Sequence, residues 1–236
     1  MLERLDYVKL APRRILDAGS GPAREAAALL RRYRGASLIA LDFSLAMLPR
    51  RGILERLTRR GVLAVCADFT RLPIEPDACE LVWSNMALHW SEPLAAFREF
   101  ERVLSPEGLL MFSTLGPDTL KELRAAAGGE RVHTFIDMHD LGDMLIAAGF
   151  SSPVMDMEIL TFTYSPGETL LADLRASGQT CARADRARGL TGRVFGNRLR
   201  EGLAAAASFE VVYGHAWKTH AARNEAKPVR VFKRIS

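Results

Sequence analysis

The chain has 236 residues, 48% of them hydrophobic and 25% charged, ordinary values for one soluble α/β domain that exclude a disordered tail, a collagen-like chain and a disulfide scaffold. No apolar run approaches the roughly 18 residues that span a bilayer, and Met1-Leu2-Glu3-Arg4 does not open a signal peptide, so the expectation is a cytoplasmic protein without membrane contact. The net charge is +4 with a pI of about 9.2; of the 32 basic residues 27 are arginine, and residues 171–200 carry seven Arg against two Asp. An acidic partner or anionic substrate fits that stretch, with RNA as the competing reading. Cys66, Cys79 and Cys181 lie too far apart for a zinc pattern or a disulfide framework and read as reduced thiols.

Taken in chain order, Ile15–Ala18 is a short apolar run that meets Gly19-Ser20-Gly21-Pro22 and then a helix-forming stretch from Ala23 to Arg32, which reads as strand, tight turn and helix. Ser37–Leu41 predicts a second strand ending at Asp42, followed by an amphipathic helix over residues 44–60 that Ser44 can cap. Val62–Ala67 predicts a third strand ending at Asp68, and Glu80–Ser84 a fourth ending near Asn85. A helix over Pro93–Val103, a turn at Ser105–Gly108 and a fifth strand over Leu109–Thr114 complete the alternation, which argues for an open, mostly parallel sheet covered on both faces. Helices are then predicted at 118–127 and 138–148, and strands at Val154–Tyr164 and Phe209–Trp217. Residues 165–207 look helical and Arg-rich and read as an insertion before the last strand that covers the site. The whole chain, 1–236, is expected to be one domain, with a core of about 13–164 and 208–220.

In such a sheet the ligand site lies at the carboxyl ends of the strands, where Asp17, Asp42, Asp68 and Asn85 gather. Gly19 and Gly21 suit a turn that lets backbone approach a nucleotide-like ligand. A dinucleotide fingerprint would place glycine three positions after Gly21, where this chain has Arg24, so a dehydrogenase loses ground. Asp42 can accept hydrogen bonds from two ribose hydroxyls, and Asp68 can take an adenine amino group while Phe69 packs nearby. Asp17 can hold an ammonium group, which favours an amino-acid-bearing cofactor such as S-adenosylmethionine; the alternative for all of these is strand-end solvation. His89, beside Trp90 after the fourth strand, is a candidate catalytic residue, with a capping His next to a core Trp as its other reading. No metal-ligand spacing is present.

Through Leu16–Pro22, Asp42-Phe43-Ser44, Ala67-Asp68-Phe69 and Arg102–Gly108 the chain resembles the class I S-adenosylmethionine-dependent methyltransferases. That resemblance implies a Rossmann-like fold, a mostly parallel seven-stranded sheet with helices on both faces, and adds Phe43 to the cofactor residues. More narrowly, Ser84–Trp90, Thr114–Leu123, Asp137–Leu145 and Ala187–Gly192 are similar to the malonyl-acyl carrier protein O-methyltransferases of biotin synthesis. The implied reaction methylates the free carboxylate of a malonyl thioester, which is already ionised and needs no obligatory general base. Trp90 then becomes a candidate substrate contact, and Arg175, Arg183, Arg186 and Arg188 candidates to meet the carboxylate or the acidic carrier, with a solvated helix face as the alternative for each arginine. The implied enzyme is a monomer that binds no nucleic acid. Two departures from the family are the 14 residues before the first strand, which imply an incomplete lid, and Ala23 where glycine is usual, a small side chain that still fits near the cofactor. Complex I assembly hydroxylases, methyltransferases for another small carboxylate, and non-catalytic binding proteins share the same features and are the alternatives.

Overall fold

In the computed structural model the described residues are 1–49, 62–128, 131–164, 168–178, 192–202 and 206–219. Seven strands form one sheet in the order β3-β2-β1-β4-β5-β7-β6: β1 Arg14–Ala18, β2 Ser37–Asp42, β3 Val62–Cys66, β4 Cys79–Asn85, β5 Leu104–Leu115, β6 Phe150–Thr163 and β7 Ala206–Lys218. The first five run parallel, and β7 pairs antiparallel to both β5 and β6. The central strands are nearly continuous apolar runs because both faces are covered: Ile15, Leu16, Leu81, Val82 and Trp83 are all fully buried. The strand order reverses at β1, with β2 on one side and β4 on the other, and such a switch point opens a crevice at the carboxyl ends of the two strands.

The two faces pack different helices, since successive side chains on a strand point to opposite sides. On one, Trp83 and Met111 meet Leu29 of α1 (Ala26–Arg32) and Leu5 of a 3-10 turn, Leu2–Tyr7. On the other, Val82 and Phe112 meet Phe97 and Phe100 of α2 (Pro93–Val103). Glu92 caps α2 by accepting from the backbone N–H of Leu94 and Ala95, and Pro93 occupies its first turn, where a missing N–H costs nothing. Further helices are α3 Lys121–Ala127, α4 Met138–Ala147, α5 Glu168–Ala176 and α6 Arg193–Gly202. Leu141 and Leu145 of α4 close the α2 side of the core, while Leu170 and Leu174 of α5 pack with Leu120 and Leu123 in a smaller cluster of their own.

Several boundaries differ from those expected. The first helix starts at Ala26, because Ala23 takes a left-handed conformation (φ 54°) inside a turn. After Ser44 the backbone makes a turn over Leu45–Met47, so Ser44 caps no helix there, and residues 50–60 of the expected helix lie outside the described residues. The turn expected at Ser105–Gly108 is part of β5: the register jumps from Cys79 opposite Leu104 to Leu81 opposite Leu109, and Glu107 at φ 63° absorbs the excess as a bulge. The helix expected from 118 begins at Lys121. β6 begins at Phe150, with a register break between Ser151 and Val154, where Pro153 has no N–H to donate to the ladder. β7 already begins at Ala206, because its first residues pair with the far end of β6, Ala206 opposite Thr163.

Candidate functional site

The site is built on the ends of β1, β2, β4 and β5. β1 delivers Asp17, whose side chain is buried at 1% exposure and whose Oδ2 finds no hydrogen-bond partner among the described residues. Burial pushes the pKa of its carboxyl up to about 8, and the nearby carboxylates of Glu25 and Asp42 push the same way. Such a group is protonated at neutral pH and is ready to ionise for a cation. A ligand ammonium would satisfy Oδ2 and lower the pKa at once, so the orphaned oxygen fits the amino group of S-adenosylmethionine.

The turn after β1 is tied to β2. Gly19 and Ser20 both donate their N–H to the carbonyl of Leu41, and Gly21 donates to Asp42 Oδ2 at 2.8 Å while Ser44 donates to Oδ1 at 2.8 Å. Asp42 therefore holds two turns in place and keeps lone pairs for further donors, since each carboxylate oxygen accepts two. Gly19 has φ 77°, and a Cβ on it would run into that of Ala87, so glycine here answers a close approach between the β1 turn and the segment after β4. Phe69 lies beside the same turn and packs against Phe100, with ring centroids 5.7 Å apart. Asp68 accepts from the N–H and hydroxyl of Thr70, both at 2.8 Å, whereas Phe43 stands 80% exposed at the rim.

Asn85 sits at the head of a polar chain. Its Nδ2 donates to Glu25 Oε1 at 2.6 Å, its Oδ1 accepts from the Ser113 hydroxyl at 2.5 Å, and the Met86 N–H donates to Ser113 Oγ. Glu25 and Ser113 escape a reading of the sequence. Glu25 has a signal in hindsight, an acidic residue at the start of a helix just past a glycine turn, but Ser113 in a buried strand has none.

Beyond Asn85 the chain makes a 3-10 turn, Leu88–Trp90, that opens an aromatic wall. The His89 ring is 5.1 Å from Trp90 and 5.9 Å from Phe135, and His133 lies 5.4 Å from Phe135 and 6.0 Å from Trp90, centroid to centroid. His89 is thus a member of a ring cluster, and Trp90, at 45% exposure, is not a core residue. Behind the wall lies a cavity of about 50 Å³. Trp90, Leu120, Leu123, Arg131, His133 and Leu174 are among its lining residues. Arg175, next to Leu174, is exposed, so the structure does not bring it into this cavity; Arg183, Arg186 and Arg188 lie outside the described residues. No cluster of three His, Cys, Asp or Glu that could hold a metal occurs among the described residues, nor is any helix there long and apolar enough to cross a membrane.

Residues 16–112 match the family model of the methyltransferase domain. A malonyl-(acyl-carrier protein) O-methyltransferase of Methylovorus is 49% identical over 94% of this chain and 80% of its own length, and the enzyme of that name from Gallionella capsiferriformans is 48% identical over 92% and 81%. The chain belongs to the malonyl-(acyl-carrier protein) O-methyltransferase family. Among solved structures, a putative methyltransferase from Bacillus halodurans superposes with a TM-score of 0.66 at 18% identity, covering 93% of this chain and 97% of that one. The geranyl diphosphate C-methyltransferase of Streptomyces coelicolor, solved with S-adenosyl-L-homocysteine, does so at 0.57 and 18%, covering 92% and 78%. At those identities the two structures speak for the fold, the Rossmann-like class I architecture expected from the alternation of strands and helices.

Proposed function

We propose that this chain transfers a methyl group from S-adenosylmethionine to the free carboxylate of a malonyl thioester carried by acyl carrier protein, the step that in biotin synthesis disguises a malonyl primer. The observation that carries this reading is the 49% identity, over nearly the whole chain, to an enzyme named for that reaction. The crevice supports it: Asp17, Gly19, Gly21, Asp42, Phe43, Asp68, Phe69 and Asn85 would hold the cofactor, and the buried Asp17 Oδ2, without a hydrogen-bond partner among the described residues, suits an amino-acid-bearing one. When bound, S-adenosylmethionine supplies an electrophilic methyl group.

What the chain itself must do is then modest. A malonyl carboxylate has a pKa near roughly 4 and is ionised at neutral pH, so no side chain has to remove a proton. The protein has to bind the acyl end, align it and exclude water. The aromatic wall of His89, Trp90, His133 and Phe135 excludes water on the β4 side. Helices α5 and α6 act as a lid from the other side, α5 through Leu170 and Leu174, and the exposed Arg175 serves the encounter with an acidic carrier together with Arg183, Arg186 and Arg188. The enzyme works as a cytoplasmic monomer without metal or nucleic acid. Incubation with methyl-labelled S-adenosylmethionine and malonyl-acyl carrier protein, followed by mass spectrometry of the carrier, should detect the methyl ester; a carrier that stays unlabelled while the protein binds the cofactor overturns the reading.

A further inference from the structure

The basic stretch at 171–200 draws attention to its arginines as partners of the substrate carboxylate. Among the described residues a different arginine reaches the cavity behind the aromatic wall. Arg131 lines it together with Trp90, Leu120, Leu123, His133 and Leu174. The lining includes no carboxylate, and among the described residues no Asp or Glu pairs with Arg131. Its guanidinium lies instead 4.2 Å from the centroid of Phe195, on α6. A partly buried cation against an aromatic face and apolar side chains, with no counter-ion among the described residues, is an arrangement that an arriving anion stabilises.

The size of the space limits that anion. A cavity of about 50 Å³ accommodates only a few water-sized groups, which excludes a nucleotide or a long acyl chain and admits a short acyl end. Its position limits it further. The cavity-lining Trp90 ends the Leu88-His89-Trp90 turn, directly after Ala87, the residue that Gly19 of the β1 turn approaches, and Leu115 at the end of β5 lines the cavity as well.

Resting on the methyl transfer proposed above, we infer that Arg131 is the specificity-determining cation of the site: it pairs with the terminal carboxylate of the short acyl group, in a pocket that Trp90 and Leu174 close. A planar guanidinium matches a carboxylate bidentately, and each carboxylate oxygen has two lone pairs, so the pairing leaves electrons free for attack on a methyl group. The contact to Phe195 ties the residue that reads the substrate charge to α6.

The test compares an anion with its neutral ester. With S-adenosylhomocysteine present to prevent turnover, binding of malonyl-pantetheine and of its methyl ester is measured by calorimetry for the wild type, Arg131→Gln, Arg131→Lys and, as a control for loss of one exposed charge, Arg98→Gln. The wild type and Arg98→Gln should prefer the anion by about 10- to 100-fold, the range of a charge-assisted pair. Arg131→Gln should lose that preference and still bind the ester as the wild type does, and ester binding also reports that the variant is folded. Should Arg131→Gln fail to fold, Arg131→Lys decides: a point charge without the planar fork should keep a preference reduced about tenfold. Undiminished preference in the folded Arg131 variants overturns the inference and leaves the methyl transfer standing. A wild type that neither prefers the anion nor forms the methyl ester on the carrier overturns both.

Discussion

Asp17 offers the sharpest test of the cofactor site because its state in the free protein is unusual. The pKa of its carboxyl is raised from 3.8 to about 8, first by burial and then by Glu25 and Asp42. Between those two values the unfolded chain has released the proton and the folded one keeps it, so the native state binds more protons and stability falls as pH rises, by at most about 1.4 kcal/mol per pH unit from this group. Below pH 3.8 and above about 8 its contribution is constant. An asparagine side chain has the shape of the protonated carboxyl and no titration. The stability of Asp17→Asn relative to the wild type should therefore grow by about 2 kcal/mol between pH 6 and pH 8 and then level off. Urea denaturation of both proteins at half-unit steps of pH measures it, and taking the difference removes every other titrating group. Saturating S-adenosylmethionine should reverse the ranking, since its ammonium gives the ionised Asp17 a partner with which a neutral amide cannot form an ion pair. Binding at pH 7 should also release a proton, visible by calorimetry in buffers of different ionisation heat. A stability difference that does not change with pH would refute the argument that Asp17 is protonated in the free protein.

Asp42→Ala removes the acceptor of the Gly21 and Ser44 N–H groups and, in the proposed placement of the cofactor, of the ribose hydroxyls, and should weaken S-adenosylmethionine binding by at least about 2–3 kcal/mol by calorimetry; unchanged affinity removes Asp42 from the site. The single-turnover rate at saturating cofactor should be nearly flat from about pH 6.5 to 8.5, with His89→Ala lowering it less than about a hundredfold, because the acceptor is already ionised and His89 is a wall residue. A tenfold rise per pH unit that disappears in His89→Ala would restore it as a base. Gly214→Ala should destabilise the protein by roughly 1–3 kcal/mol in denaturant titration, as its Cβ would strike the Phe112 ring on the neighbouring strand; a variant as stable as the wild type would mean that Phe112 moves freely.

Much of this architecture is legible along the chain for a physical reason: a parallel strand buried on both faces has to be an uninterrupted apolar run, and its polar end residue marks the site edge. Asp17, Asp42 and Asn85 stand out that way, and α2 is legible to the residue because Pro93 and a periodic apolar face define it. Local signals fail where the backbone departs from one regular element. The bulge that makes Leu104–Leu115 a single strand and the break at Pro153 arise from pairing with distant strands, and no window of sequence contains both partners. Charge density likewise points to the lid arginines, since composition counts charges without knowing which way they face. The tertiary structure turns Arg175 to solvent and brings Arg131, from a segment with no motif, against Phe195 and the cavity beside Trp90. The residue types needed for the chemistry are written in the sequence; which of several identical side chains meets the cavity is decided by the packing of helices far apart in the chain, where the burial of Leu170 and Leu174 sets the face that looks inward.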